Sequence, residues 1–169
     1  SPKVRDQLRP AMTGWQAHTR PFDFEDTMEY TTGAFRWLNG TPVIPALYVA
    51  AEGAKILRKA GIAAIREKSV RLTSHLVERA DELGYKVFAP RDPSQRGGTV
   101  ALDVPHGYEV TQFLLSRDIL VDYRVGAGIR IAPHFFTREE EVDEAISSIT
   151  TAIETGAWEK FAERASVVT

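Results

Sequence analysis

Between Ile62 and Leu83 the apolar residues Ile62, Ile65, Leu72, Leu76, Ala80 and Leu83 recur at helical spacing, and Gly84 follows them. That period sets them in one stripe along a long helix with a glycine at its C-terminal end. A helix apolar on one side only must bury that side against another layer. The next residues read as short strands rather than as a second long helix. Lys86-Val87-Phe88 is one, and Thr99 to Val104 alternates with Val100, Leu102 and Val104 on one face. Arg91-Asp92-Pro93-Ser94 between them is turn chemistry.

The same reading extends in both directions. Upstream, Asn39-Gly40-Thr41-Pro42 leads into an alanine-rich helix from Ile44 to Lys59 that ends at Gly61. Downstream, Gly107 to Arg117 is helical with Val110, Phe113 and Leu114 inward. Ile119 to Tyr123 and Gly128 to Ala132 are strands, and Gly126 and Gly128 suit the tight connection between them. Thr137 and Glu140 have the spacing of a capping box. The helix they open carries Val142, Ala145, Ile146, Ile149 and Ile153 as its stripe and stops at Gly156. The tail from Ala157 has room for one more short helix before it frays. The expected fold is α+β: a small, mostly antiparallel sheet of about four strands covered by helices.

The first forty residues differ. Trp15, Phe22, Phe24, Tyr30, Phe35 and Trp37 stand among them without sustained periodicity. So long an irregular stretch is unusual inside a compact domain and suggests a segment that lies against something else. The chain is therefore divided into an irregular arm, 1–42, and a small domain, 43–169. Ser1-Pro2-Lys3 reads as a cut inside a longer protein rather than a natural start.

Composition excludes several classes of function. The net charge of -2 offers no footprint for nucleic acid. Arg66, Lys68 and Arg71, interleaved with Glu67, read as the solvated side of a helix. With no cysteine there are no disulfides, thiolate metal sites or cysteine nucleophile, which is compatible with the expected cytoplasmic location. The longest apolar run, Val43 to Ala54, is broken by Pro45 and Glu52 and falls short of the roughly 18 residues a membrane span needs. Lys3, Arg5, Asp6 and Arg9 interrupt any signal-peptide pattern. His18, His75, His106 and His134 are too scattered for a metal site. No serine sits in a Gly-x-Ser-x-Gly elbow, and Gly126-Ala127-Gly128 lacks the third glycine of a dinucleotide loop.

Three motifs remain. Gly14-Trp15-Gln16-Ala17-His18 precedes Arg20-Pro21-Phe22-Asp23-Phe24. Phe35-Arg36-Trp37-Leu38-Asn39-Gly40-Thr41-Pro42 forms a turn. Val121-Asp122-Tyr123-Arg124 runs on to Gly128-Ile129-Arg130-Ile131-Ala132-Pro133-His134-Phe135-Phe136. In this order, over nearly the whole chain, they resemble the C-terminal portion of the class V aminotransferase and kynureninase superfamily of pyridoxal-phosphate (PLP) enzymes. The resemblance implies a fold-type I enzyme built as a homodimer, acting on an amino-acid substrate by transamination or kynureninase-like chemistry. It makes the arm 1–42 a remnant of the large PLP-binding domain and 43–169 the C-terminal small domain. Arg130 matches the arginine that binds the substrate carboxylate. Trp15 would hydrogen-bond the cofactor phosphate, and Thr41 would reach the phosphate held mainly by the neighbouring subunit. Two departures favour a general class V enzyme over kynureninase proper. Kynureninases tend to have histidine where this chain has Thr99, and their arginine motif reads differently from Ile129 to His134.

The residues admit plainer roles as well. A guanidinium in the strand Ile129-Arg130-Ile131 can meet a carboxylate through two parallel hydrogen bonds, or it can simply point outward from a half-exposed strand. Thr41 can face a phosphate or act as an N-cap with Pro42 at the first helical position. Trp15 can serve as interface packing. His134 could border the substrate pocket, and Arg124 is expected to pair locally with Asp122 or Glu109. The rival function is a non-catalytic interaction module that binds a partner through its aromatic arm.

A PLP enzyme needs a partly desolvated lysine for its aldimine. Lys3, Lys55, Lys59, Lys68, Lys86 and Lys160 all read as surface residues, and in the family that lysine lies upstream of the segment matching Ser1. The chain by itself should therefore form no internal aldimine and be inactive. Mixed with PLP, it should give no stoichiometric visible band that borohydride traps on one lysine.

Overall fold

A computed structural model describes residues 1–5 and 7–162 of the chain. They fall into two compact units, Ser1–Leu57 and Arg58–Thr169.

In the first unit, α1 (Pro2–Arg5) and two single-turn 3-10 segments, Trp15–Ala17 and Gly33–Trp37, are the regular structure before residue 44. Backbone contacts and one buried histidine shape the segment in place of an apolar core. The Gly14 N–H donates to the Leu38 carbonyl at 3.2 Å. A Cβ at Gly14 would lie 1.1 Å from the Asn39 carbonyl oxygen, so only glycine fits this crossing. His18 is buried and closes the loop that follows. Its Nδ1 accepts the Arg20 N–H at 2.9 Å, which leaves the proton on Nε2 to meet the Thr27 carbonyl at 3.2 Å. Thr19 N–H to Glu29 O and Thr31 N–H to Ala17 O, each 2.9 Å, complete the closure. Phe22, Phe24 and Phe35 are exposed.

Helix α2 runs Ile44–Ala60. Thr41 and Pro42 stand outside it, and Pro45, not Pro42, occupies its first turn. The N-cap alternative for Thr41 does not hold: the helix begins at Ile44, as its sequence pattern has it, and Pro45 supplies the preset φ a first turn accepts. No residue of α2 is buried. The division between the two compact units falls inside α2, at Leu57 and Arg58.

The second unit has the expected α+β architecture. Helix α3 (Ile62–Glu82) is followed by β1 (Lys86–Val87), β2 (Val100–Asp103), α4 (Gly107–Leu115), β3 (Asp122–Arg124), β4 (Gly128–Ile131), α5 (Glu139–Thr155) and a 3-10 turn, Ala157–Phe161. The part of the tail expected to fray lies largely outside the described residues. The four strands form one antiparallel sheet in the order β1-β2-β4-β3. Leu72, Leu76 and Ala80 of α3 pack with Val100 and Leu102 of β2, Ile129 and Ile131 of β4, Val110 and Leu114 of α4, and Val142, Ile146 and Ile149 of α5. The helices cover one face of the sheet.

Three details differ from the sequence reading. The α3 stripe is buried only from Leu72 to Ala80, and Ile62 is exposed. A helix of 21 residues is about 30 Å long, whereas a four-residue strand covers about 13 Å, so the sheet shields only part of it. Strand β3 begins at Asp122 rather than Ile119, because the Ile119 N–H is committed to the Leu114 carbonyl at the end of α4, at 3.0 Å. The cap of α5 is shifted by one residue. Glu141 accepts the Arg138 N–H at 2.7 Å, a bond that holds its carboxyl below the usual range, and the Thr137 hydroxyl is taken by the His134 N–H at 2.9 Å. Gly128, at φ +87°, lies against the Leu102 carbonyl where a Cβ would approach to 2.1 Å. This is what lets β4 close on β2.

Leu76 is fully buried among all three helices and the sheet, so Leu76→Ala should lower unfolding free energy by roughly 2–5 kcal/mol. Leu120→Ala, at a residue 87% exposed, should change it by less than about 0.5 kcal/mol. Urea titration of the two variants checks both. Gly14→Ala should accelerate amide exchange across residues 14–31 and leave the core strands β2 and β4 protected as before.

Candidate functional site

The helices cover one face of the sheet, and the other is open. Burial of Ile129 and Ile131 turns Arg130 onto the open face, since side chains alternate along a strand. Antiparallel register sets Asp122, Arg130 and Ala101 in one row across β3, β4 and β2. Thr99, Leu120, Arg124 and Ala132, each two residues from a member of that row, belong to the same side. Thr99, Leu120, Val121, Asp122, Arg130 and Ala132 line a recess of about 340 Å³. Leu120, Val121 and Ala132 also border a larger cleft of about 780 Å³ that reaches Pro133, His134 and Phe136. His134 therefore borders the neighbouring cleft and not the recess that holds Arg130.

Arg130 is paired. Its Nε donates to Asp122 Oδ1 at 2.7 Å and its Nη2 to Oδ2 at 2.5 Å. Arg124 Nη2 donates to the same Oδ2 at 3.1 Å. This confirms Asp122 as the local partner of Arg124 and adds a pairing that the sequence did not reveal. The hydrogen bonds from Arg130, followed by the nearby charge of Arg124, hold the Asp122 carboxyl below the usual carboxylate range. Asp122 in turn raises the pKa of Arg130. Two cations share one anion, leaving a single positive charge at the mouth of the recess.

The approach to Thr99 is fixed by a residue that the sequence did not single out. Arg96 is buried. It donates to the Pro90 carbonyl at 3.0 Å, to Ser74 Oγ at 2.8 Å and to Thr73 Oγ1 at 3.3 Å. This fork ties the segment before β2 to α3. No pattern in the sequence separates it from a surface arginine in a polar loop.

Trp15 and Thr41 belong to the first unit, and Arg130 to the second. The Gly14 crossing brings the Gly-Trp segment against the Asn39-Gly40-Thr41 turn. Thr41 is exposed, and Trp15 is partly exposed with its ring edge-on to Phe22 at 5.2 Å. Trp15, His18, Arg20 and Phe24 help line a recess of about 310 Å³. Arg9 and Arg36 each lie 5.5 Å from the Tyr30 ring centre. A hydrogen bond with Thr13, aided by Arg9, lowers the pKa of the Tyr30 hydroxyl.

None of the lysines is buried. Among the described residues no group of three or more His, Asp or Glu could hold a metal ion. No helix there is long and apolar enough to cross a membrane.

Comparison with known proteins places this geometry. Residues 65–149 match the family model described as the kynureninase C-terminal domain. The kynureninase of Burkholderia mallei (strain SAVP1) is 32% identical over 163 residues, covering 92% of this chain and 39% of that protein. The kynureninase of Pseudomonas fluorescens is 29% identical over 163 residues, covering 94% and 39%. The chain thus spans about two fifths of the length of these relatives. Among solved structures, the apo cysteine desulfurase of Thermococcus onnurineus NA1 superposes with a TM-score of 0.73 at 21% identity, over 90% of this chain and 41% of that one. The cystine C-S lyase C-DES, in complex with cysteine persulfide, gives 0.69 at 21% identity, over 87% and 39%. Both share the fold. The preference for a general class V enzyme, drawn from Thr99 and the arginine motif, gives way to the kynureninase branch, because the matched span covers both departures. By that match, the chain belongs to the kynureninase C-terminal domain family.

Proposed function

We propose that this chain is the C-terminal part of a PLP-dependent, kynureninase-type enzyme, and that Arg130 binds the carboxylate of its amino-acid substrate. The observation that carries the reading is Arg130 itself. It is a guanidinium on the open face of the sheet, at the mouth of a recess, in a domain of the kynureninase family. The relatives' name points to kynurenine as the amino acid. Transamination is the alternative within the same superfamily.

PLP, when bound, supplies the electron sink for the amino acid's chemistry. What this chain contributes is binding and orientation. Arg130 draws in the carboxylate and fixes the amino acid's direction through a charge-assisted fork. Trp15 and Thr41 fit a phosphate by donor chemistry: an indole N–H and a hydroxyl, both accessible, on segments joined at the Gly14 crossing. In this reading residues 1–42 belong with the large domain, which carries the cofactor's lysine on the part preceding Ser1. The protein works as a homodimer in the cytoplasm.

The interaction-module reading has one observation in its favour, the exposed Phe22, Phe24 and Phe35. Large exposed aromatics mark surfaces that another body covers. A large domain in the same protein accounts for them equally. A gene whose upstream sequence encodes a PLP-binding domain separates the two readings.

In the full-length protein, Arg130→Ala should weaken L-kynurenine binding about tenfold or more, the scale on which deleting one partner of a charged pair acts. Arg130→Lys should restore part of it, since an ammonium cannot reproduce the planar fork. PLP affinity should stay near wild type. Titration followed by the absorbance of the bound cofactor measures both. Undiminished L-kynurenine binding by Arg130→Ala would remove the main support for the proposal.

A further inference from the structure

The Arg130 guanidinium presents two edges to partners, and one is already used. Nε and Nη2 form the side-on edge, and both donate to Asp122. One hydrogen on Nη1 and the second hydrogen on Nη2 form the end-on edge. Asp122 is itself pinned. It is the register partner of Arg130 across β3 and β4, and Arg124 donates to its Oδ2. On the other side of Arg130 in the same row stands Ala101, which has no group that could compete for the guanidinium.

We infer that Asp122 is a positioning residue: it clamps the side-on edge of Arg130 so that the end-on edge, Nη1 and Nη2, receives the ligand, and the site therefore takes a monocarboxylate. The inference rests on the carboxylate-binding reading of Arg130. Two physical effects oppose each other. An arginine on an exposed strand is a long side chain with many rotamers, and a bidentate tether orders it before the ligand arrives. Against that, the Asp122 charge repels an incoming carboxylate. Arg124 offsets this repulsion by sharing the Asp122 oxygen. With one anion between two cations, the cluster keeps one unit of positive charge, enough for one carboxylate. A dicarboxylate would bring a second charge with no partner among Thr99, Leu120, Val121 and Ala132. Ordering is thus expected to outweigh repulsion, and the sign of the Asp122→Asn effect reports which of them wins.

The test uses the full-length holoenzyme with L-kynurenine and its α-carboxamide as probes. Apparent Kd is read from the cofactor absorbance on rapid mixing, and KM and kcat are measured separately. Asp122→Asn should raise the Kd for L-kynurenine about three- to tenfold while leaving the carboxamide within about twofold. The change should appear in KM more than in kcat. Asp122→Glu, which keeps the charge but displaces the fork, should restore part of the loss. In an Arg130→Ala background, Asp122→Asn should cause no further loss, because nothing remains to be positioned. Tighter L-kynurenine binding by Asp122→Asn would make Asp122 a competitor and overturn the inference. Equal weakening of carboxylate and carboxamide would reduce Asp122 to a structural residue and overturn it as well. Arg130→Ala alone reports on the proposed function. If it weakens L-kynurenine binding and Asp122→Asn does not, only the inference falls. If Arg130→Ala has no effect, both fall.

Discussion

The burial of Ile129 and Ile131 beneath the helices governs the rest of the site. Strand geometry allows no choice once those two side chains point inward: the residue between them must point out. Arg130 thus reaches the open face as a consequence of core packing, with no separate device to hold it there. The same alternation on the neighbouring strands supplies its surroundings. Val100 and Leu102 go inward and leave Thr99 and Ala101 outward, and β3 sets Asp122 opposite Arg130. The recess is the reverse side of the core.

The core in turn is flanked by two features that are not apolar side chains, a glycine contact and a buried arginine. Gly128 lets β4 lie against the Leu102 carbonyl of β2, where the register sets Ala101 beside Arg130. Arg96, buried without a carboxylate among its hydrogen-bond partners, satisfies its donors on carbonyls and hydroxyls and so anchors the chain just before Thr99. A buried guanidinium is costly unless most of its donors are met, so the segment around it has little freedom. The polar rim of the recess is thereby supported by a helix on one side and a strand crossing on the other.

The first unit is built on a different principle. Among its described residues few apolar side chains are buried, and it relies on the Gly14 crossing and on His18, which bridges Arg20 and Thr27 through its two ring nitrogens. The aromatic side chains that would ordinarily make a core point outward, and α2 buries nothing. This is the pattern of a segment whose apolar surface is meant for another body, and it agrees with a chain that spans about two fifths of the length of its kynureninase relatives.

Much of this was legible in the sequence. The long helix, the four strands, the α+β class and the motifs carrying the kynureninase resemblance all follow from periodicity, glycine placement and residue order, which are local properties of a chain. Arg130 could be picked out as an arginine in an apolar strand for the same reason. Its partner could not. Asp122 and Arg130 meet only because the antiparallel register of β3 on β4 sets them opposite one another, eight residues apart in the chain. Likewise the buried Arg96, the late start of β3 and the one-residue shift of the α5 cap arise from competition for particular hydrogen bonds, which only the assembled chain decides. The sequence determined which elements form and which arginine stands alone in an apolar strand. The tertiary structure decided which edge of that residue is free, because a guanidinium's orientation is fixed by what stands beside it across the sheet.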